Sequence, residues 1–267
     1  MQPKVYEVNE TRKKAVVVTP QTLFTGQQLV WLPACASTNS EAQALVLQNR
    51  ASEGCTVITD FQTAGRGQRG NQWQGAPAEN LMLSVVWQPT FLAATEQFRL
   101  SQAVALGVHD WAAALLGPDA KLKLKWPNDL YYGNQKLGGI LIENSLSGPK
   151  IQSSIIGIGL NINQQELALP TATSFARLTG RAYDRAALAA RLLEGLERRY
   201  LQLRAGQVGA LRRDYLQALY RFQEIHPFVV DGQTVNGQIV GVEDDGRLAV
   251  AIGNELRRFG LQEIRHA

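Results

Sequence analysis

Hydrophobic and polar positions along this 267-residue chain fall into short apolar runs and longer helical periods, interleaved without a regular repeat. Thr56-Val57-Ile58-Thr59 and Leu81-Met82-Leu83-Ser84-Val85-Val86-Trp87 read as buried strands. From Glu96 to Leu116, Phe98, Val104, Leu106 and Val108 recur at helical spacing. Strands follow around residues 121–125, 138–143 and 151–160, with Tyr131-Tyr132-Gly133-Asn134 as a strand end and hairpin turn. Arg185 to Tyr220 reads as one long helix or two, with a break near Gly206-Gln207-Val208-Gly209. Upstream, Thr38-Asn39-Ser40-Glu41 has the form of a capping box and opens a helix running to about Gln48. Before Leu32 the pattern gives one strand-like run, Ala15 to Val18, and too little helical periodicity for a helix-turn-helix domain.

From about Phe222 the character changes. Phe228-Val229-Val230, Gln238 to Val242 and Leu248 to Ile252 are short strands set apart by Asp231-Gly232, Asp245-Gly246 and Gly253-Asn254. Hairpins this closely spaced predict a small β-barrel of the SH3-like kind. The expectation is an α+β protein: a mixed-sheet domain over residues 1–221, then a barrel over 222–267.

Composition narrows the function classes. A 45% hydrophobic and 19% charged chain is an ordinary globular protein rather than a disordered one. The net charge of +4, from 27 basic and 23 acidic residues, fits an anionic substrate or acidic partner without pointing to nucleic acid. His109, His226 and His266 are scattered, and Cys35 and Cys55 have no metal-type spacing, so a structural zinc site is not expected. A disulfide between the two cysteines stays open, although a reduced setting is favoured. There is no apolar signal core and no run of membrane-spanning length, so a cytoplasmic location is expected.

Candidate chemistry sits in four places. Gly65-Arg66-Gly67-Gln68-Arg69-Gly70 matches G-x-G-x-x-G, but Asn71 to Pro77 is a poor helix start, which argues against a dinucleotide site. Its glycines suit a backbone that wraps a ligand, and Arg66 and Arg69 suit phosphate or carboxylate. Lys125-Trp126-Pro127-Asn128-Asp129, followed by Lys136 to Glu143, sets two cations, an amide and a carboxylate beside stiff turn chemistry. Pro127 fixes its own φ and pushes Trp126 toward extended backbone. Ser37-Thr38-Asn39 sits at a helix start, as a cap or facing a polar ligand. Gly157-Ile158-Gly159-Leu160-Asn161 ends a strand where glycine admits a close approach or a bulge.

Taken in order, these motifs resemble biotin protein ligase from about Trp31 to the C-terminus. The resemblance implies a mixed-sheet catalytic domain related to lipoate ligases and class II aminoacyl-tRNA synthetases, then an SH3-like barrel. It implies two steps: ATP with magnesium activates biotin as biotinyl-5′-adenylate, and a lysine of a biotin carboxyl carrier domain takes the biotinyl group. By the same resemblance Ser37, Thr38, Asn39 and Gln62 would bond the biotin head. Gly65, Arg66, Gly67 and Arg69 would form a closing loop, and Gly139, Gly157 and Gly159 would bring backbone close to ligand.

Lys136 would lie at the carboxylate and α-phosphate, with Lys125 adding positive potential and Arg66 and Asp129 completing the catalytic set. Asp129 is placed to accept a hydrogen bond or proton from the incoming amine. Gln68, Trp73, Asn128, Asn161, Thr173 and Ser174 would face nucleotide, Asn161 also as a neighbour of magnesium. No metal ligand set is otherwise expected. Gln68 and Asn71 stand where many members carry basic residues, which implies weaker retention of the adenylate. The rivals are a lipoate or octanoate ligase and a biotin-sensing DNA-binding repressor. DNA and membranes are not expected partners, and monomer and homodimer both stay open.

Overall fold

The computed structural model describes Lys4–Val5 and residues 18–118 and 120–267. The strand-like run at 15–17 lies outside the described residues; Val18 is buried but not in a strand. The strands are β1 (Lys4–Val5), β2 (Gln28–Leu32), β3 (Thr56–Thr59), β4 (Leu81–Trp87), β5 (Leu122–Lys125), β6 (Asp129–Tyr132), β7 (Gln135–Ser147) and β8 (Lys150–Leu160). They form one 8-stranded sheet in the order β1-β2-β3-β4-β8-β7-β6-β5. β1, β2 and β3 pair in parallel and the remaining neighbours antiparallel, the mixed sheet of an α+β fold.

Helices cover both faces. α1 (Thr38–Leu47) packs on β3, β4 and β8, burying Ala42 with Val57, Val86 and Ile155. The alternate residues Ile58, Val85 and Ile156 point into the larger core on the other face, which α2 (Gln97–Leu116) and α4 (Arg185–Arg204) close. Double coverage is why the central strand β4 is apolar at almost every position. The region 185–220 is two helices, α4 and α5 (Val208–Ala218), with Gly206 at φ 74° in the break. A short α3 (Phe175–Thr179) was not foreseen from the pattern, nor was β2.

The last strands, β9 (Ile225–Val230), β10 (Gln233–Val242), β11 (Leu248–Ile252), β12 (Glu255–Phe259) and β13 (Ile264–His266), make a 5-stranded antiparallel sheet, the SH3-like element. Asp231 and Gly232, both at positive φ, make the β9–β10 turn. The polar β12 and the brief β13 carry too little alternation to be seen in the sequence. Cys35 and Cys55 are free, which closes the disulfide question. Among the described residues no helix is long and apolar enough to cross a membrane.

Candidate active site

One cavity of about 420 Å³ opens between the large sheet, the 65–73 loop and the C-terminal sheet. Ser37, Thr38 and Asn39 stand on one side of it, each no more than 4% exposed. Ser37, not Thr38, is the N-cap of α1, and its side chain makes no capping bond. The capping-box reading therefore fails, and the Thr38 hydroxyl is engaged elsewhere. Ser84 Oγ on β4 lies 2.7 Å from Thr38 Oγ1 and donates to Asn39 Oδ1 at 2.6 Å. Gln62 Oε1 accepts from the Thr38 backbone N–H at 2.8 Å. Asn39 Nδ2 donates to Glu143 Oε2 at 2.7 Å, and Arg66 meets the same oxygen at 2.8 Å.

The glycines of β8 serve this wall directly. A Cβ at Gly157 would stand 2.3 Å from Asn39 Oδ1, and one at Gly159 2.5 Å from the Trp73 ring. They make room for two side chains of the wall as well as lining the cavity themselves. Gly139 on β7 also lines it, its Cβ position 3.3 Å from Asp129 Oδ1.

The 65–73 loop is a hairpin, not a helix start, in line with the argument against a dinucleotide site. Gly67 N donates to Asn71 O at 2.7 Å and Trp73 N to Gly65 O at 3.0 Å, around a 3₁₀ turn at Gln68–Gly70. Arg66, Gly67, Gln68 and Trp73 line the cavity. Gly65 does not: it is buried under Trp73, whose carbonyl oxygen lies 2.4 Å from its Cβ position. The Arg69 side chain is outside the described part of the structure. Trp73 Nε1 is buried without a partner.

At the other end, the Trp126–Pro127 bond is cis, and Lys125, Asn128, Asp129 and Lys136 face the cavity. Asp129 Oδ1 holds Lys136 Nζ at 2.6 Å. Asn128 exchanges bonds with Ile140: Nδ2 donates to its carbonyl at 2.6 Å, and Ile140 N donates to Asn128 O at 2.9 Å. Lys125 Nζ donates to the Tyr131 hydroxyl at 3.2 Å and sits over that ring, and burial lowers its pKa.

Asn161, Thr173 and Ser174 lie behind this end rather than on its surface. Lys136 N donates to Thr171 O and Thr173 N to Lys136 O, while Asn161 Nδ2 donates to Thr173 O at 3.0 Å. Ser174 caps α3 by accepting from Arg177 N. Thr173, held by Asn161, thus braces the backbone of Lys136.

The C-terminal sheet supplies a wall that the sequence did not announce. Trp126 Nε1 donates to Gly246 O at 2.9 Å, tying the Lys125–Asp129 loop to the β10–β11 turn. Phe228, Gln262, Arg265 and His266 line the cavity. The His266 ring packs on Tyr220 and Phe228 with Nδ1 buried and unpartnered. Burial, then Lys125 and Arg221, push its pKa down to about 4.

The cavity joins a neutral polar wall to a cationic one. The first carries the amides and hydroxyls of Ser37, Thr38, Asn39 and Gln62, and the second Arg66, Lys125, Lys136 and Arg265. A model of the biotin/lipoate A/B protein ligase family matches residues 31–161. The biotin–[acetyl-CoA-carboxylase] ligase of Mycobacterium tuberculosis is 34% identical over 243 residues, covering 90% of this chain and 89% of that one. A bifunctional ligase/repressor of Bacillus spizizenii is 36% identical over 253 residues, 91% of this chain and 75% of its own. The biotin protein ligase from Aquifex aeolicus, solved in complex with biotin and ATP, superposes with a TM-score of 0.74 over 90% of this chain and 99% of its own. Its 23% identity makes that a likeness of fold. The chain belongs to the biotin/lipoate A/B protein ligase family.

Proposed function

We propose that this chain is an ATP-dependent biotin ligase that forms biotinyl-5′-adenylate and passes the biotinyl group to a lysine of a biotin carboxyl carrier domain. The observation that carries the reading is one cavity with a neutral, pre-bonded polar wall at one end and paired cations at the other. A ureido head buried against Thr38, Asn39 and Gln62 finds polar partners for its own N–H and C=O groups, each costing about 1–3 kcal/mol if buried unmade, whereas an apolar acyl chain has no polar group for that wall to meet. This separates biotin from the lipoate or octanoate alternative.

No enzyme nucleophile is required. The biotin carboxylate attacks the α-phosphorus of ATP and pyrophosphate leaves. Catalysis then rests on holding the two anions together and on stabilising the charge that develops between them. Lys136 stands at that point, with Lys125 and Arg66 adding positive potential. Its 2.6 Å pair with Asp129 gives Asp129 a duty beyond facing the amine: it keeps Lys136 aimed into the cavity until ligand oxygens compete for it.

Magnesium enters this reading with the nucleotide. Among the described residues no three His, Cys, Asp or Glu side chains gather as a metal site, and Asp129 is the one carboxylate lining the cavity. That donor set suits a cation carried mainly by phosphates, as magnesium is in nucleotide sites. We place the domain boundary at 221/222, with the second sheet completing the cavity wall, and the protein in the cytoplasm.

Pyrophosphate exchange into ATP tests the proposal. Exchange that depends on biotin and ignores lipoate is expected; exchange with lipoate and none with biotin would overturn it.

A further inference from the structure

A second cavity, about 270 Å³, adjoins the first between α2, β7 and the β10–β11 turn. Trp126, Pro127 and Asn128 form the partition, since they line both. The two cavities differ in charge. Four cationic side chains line the first, whereas among the described residues no lysine or arginine lines the second. The second has one ionisable group, Asp245, already bonded to Arg247. Phe98, Ala105 and Ile142 give it apolar walls; Gln97, Ser101 and Asn144 give it polar ones.

At the partition Asn128 has an acceptor to offer. Its Nδ2 is committed to Ile140 O at 2.6 Å, and among the described residues no protein donor reaches its Oδ1. An anion is drawn to the first cavity and finds no counter-charge in the second. An aliphatic amine has the opposite preference: cations repel its head in the first, and the second offers apolar walls for its methylene stem.

We propose that the second cavity is the port by which the acceptor lysine of the partner domain reaches the activated carboxylate, with Asn128 Oδ1 accepting a hydrogen bond from the amine at the partition. The proposal rests on the ligase reading above. The lysine ammonium first loses a proton to solvent, and its nitrogen then attacks the carbonyl carbon of the mixed anhydride. The C–N bond forms as the C–O bond to phosphate breaks, AMP leaves with that electron pair, and the nitrogen sheds a second proton to solvent.

Two variants outside the first cavity test the port: Ser101→Phe, which fills it, and Gln97→Lys, which sets a cation at its exposed edge. Each is assayed for biotin-dependent pyrophosphate exchange and for single-turnover transfer from preformed adenylate to a carrier domain. We expect exchange within about twofold of wild type and transfer slowed about tenfold or more, the scale of a lost or repelled contact. Hydroxylamine, small enough not to need the port, should cleave the bound adenylate at the wild-type rate.

Wild-type transfer in Gln97→Lys overturns the port, and that variant decides alone if Ser101→Phe does not fold. Exchange falling in step with transfer also overturns it, and would assign the cavity to nucleotide. Absence of biotin-dependent exchange in the wild type would sink the ligase reading itself, and the port with it.

Discussion

The two ends of the main cavity are built on opposite terms. At the head-group end Ser37, Thr38 and Asn39 are almost wholly buried, and the hydroxyl of Ser84 and the amides of Asn39 and Gln62 are bonded before any ligand arrives. At the charged end the side chains of Lys136 and Arg66 keep 29% and 45% of their exposure, each held by one carboxylate, Asp129 and Glu143. A neutral head gains from partners fixed in advance, because each unmade buried bond costs about 1–3 kcal/mol. An anion that forms and departs needs cations able to exchange partners, and a carboxylate is a partner that ligand oxygens can replace. Rigidity recognises the head; replaceable pairing serves the reaction.

The largest effect should come from the charged end. Lys136→Ala should lower biotin-dependent pyrophosphate exchange by about 10²–10³-fold, the scale of removing one preorganised donor from a developing charge. Biotin affinity without nucleotide should change far less. Equal losses in both would erase the distinction between the two ends.

Gly157→Ala probes the opposite end. Its Cβ would meet Asn39 Oδ1 at 2.3 Å and push that amide off its bonds to Ser84 and Glu143. Overpacking of this kind costs about 1–3 kcal/mol, which should appear as a rise in KM for biotin with KM for ATP nearly unchanged. A rise in KM for ATP alone would count against the placement of the head group.

The wall from the C-terminal sheet gives a smaller, pH-dependent signal. His266 has a folded pKa of about 4 against its ordinary 6.5. Between these values the unfolded chain binds the extra proton, so the stability it contributes is full above about pH 6.5 and falls as pH drops toward 4. The melting temperature of His266→Phe should therefore fall less between pH 7 and pH 5 than that of wild type. An equal fall would mean that another group sets the slope.

The smallest effect belongs to the loop. Gln68→Arg adds a cation facing the cavity and should slow dissociation of the adenylate by a few-fold, the order of one exposed ionic contact. Unchanged dissociation would remove Gln68 from the account.

Much of this was legible in the sequence because the residues that carry the chemistry sit in contiguous motifs at the start of α1, on one glycine-rich loop and along strands β5 to β8. Fifteen of the proposed positions, from Ser37 to Gly159, line one cavity. What could not be read was what depends on three-dimensional pairing. Thr38 looked like a helix cap, but it is inside α1 and turned to Ser84, a strand residue no local pattern connects to it. Gly157 and Gly159 looked like points of ligand approach, and they also yield space to Asn39 and Trp73. Asn161, Thr173 and Ser174 were expected to face nucleotide; they lie behind the cavity wall, where Thr173 bonds the Lys136 backbone, Asn161 holds Thr173 and Ser174 caps α3. The wall at Arg265 and His266 comes from a strand too brief and too polar to show a period, placed by its pairing with β9.

The account turns on the head-group wall taking biotin. Isothermal titration of biotin and, separately, of lipoate into the wild-type protein without ATP tests that most directly. Saturable binding of biotin, weakened in Gly157→Ala, with no detectable heat from lipoate, is the predicted result. Saturable binding of lipoate with none of biotin would contradict it.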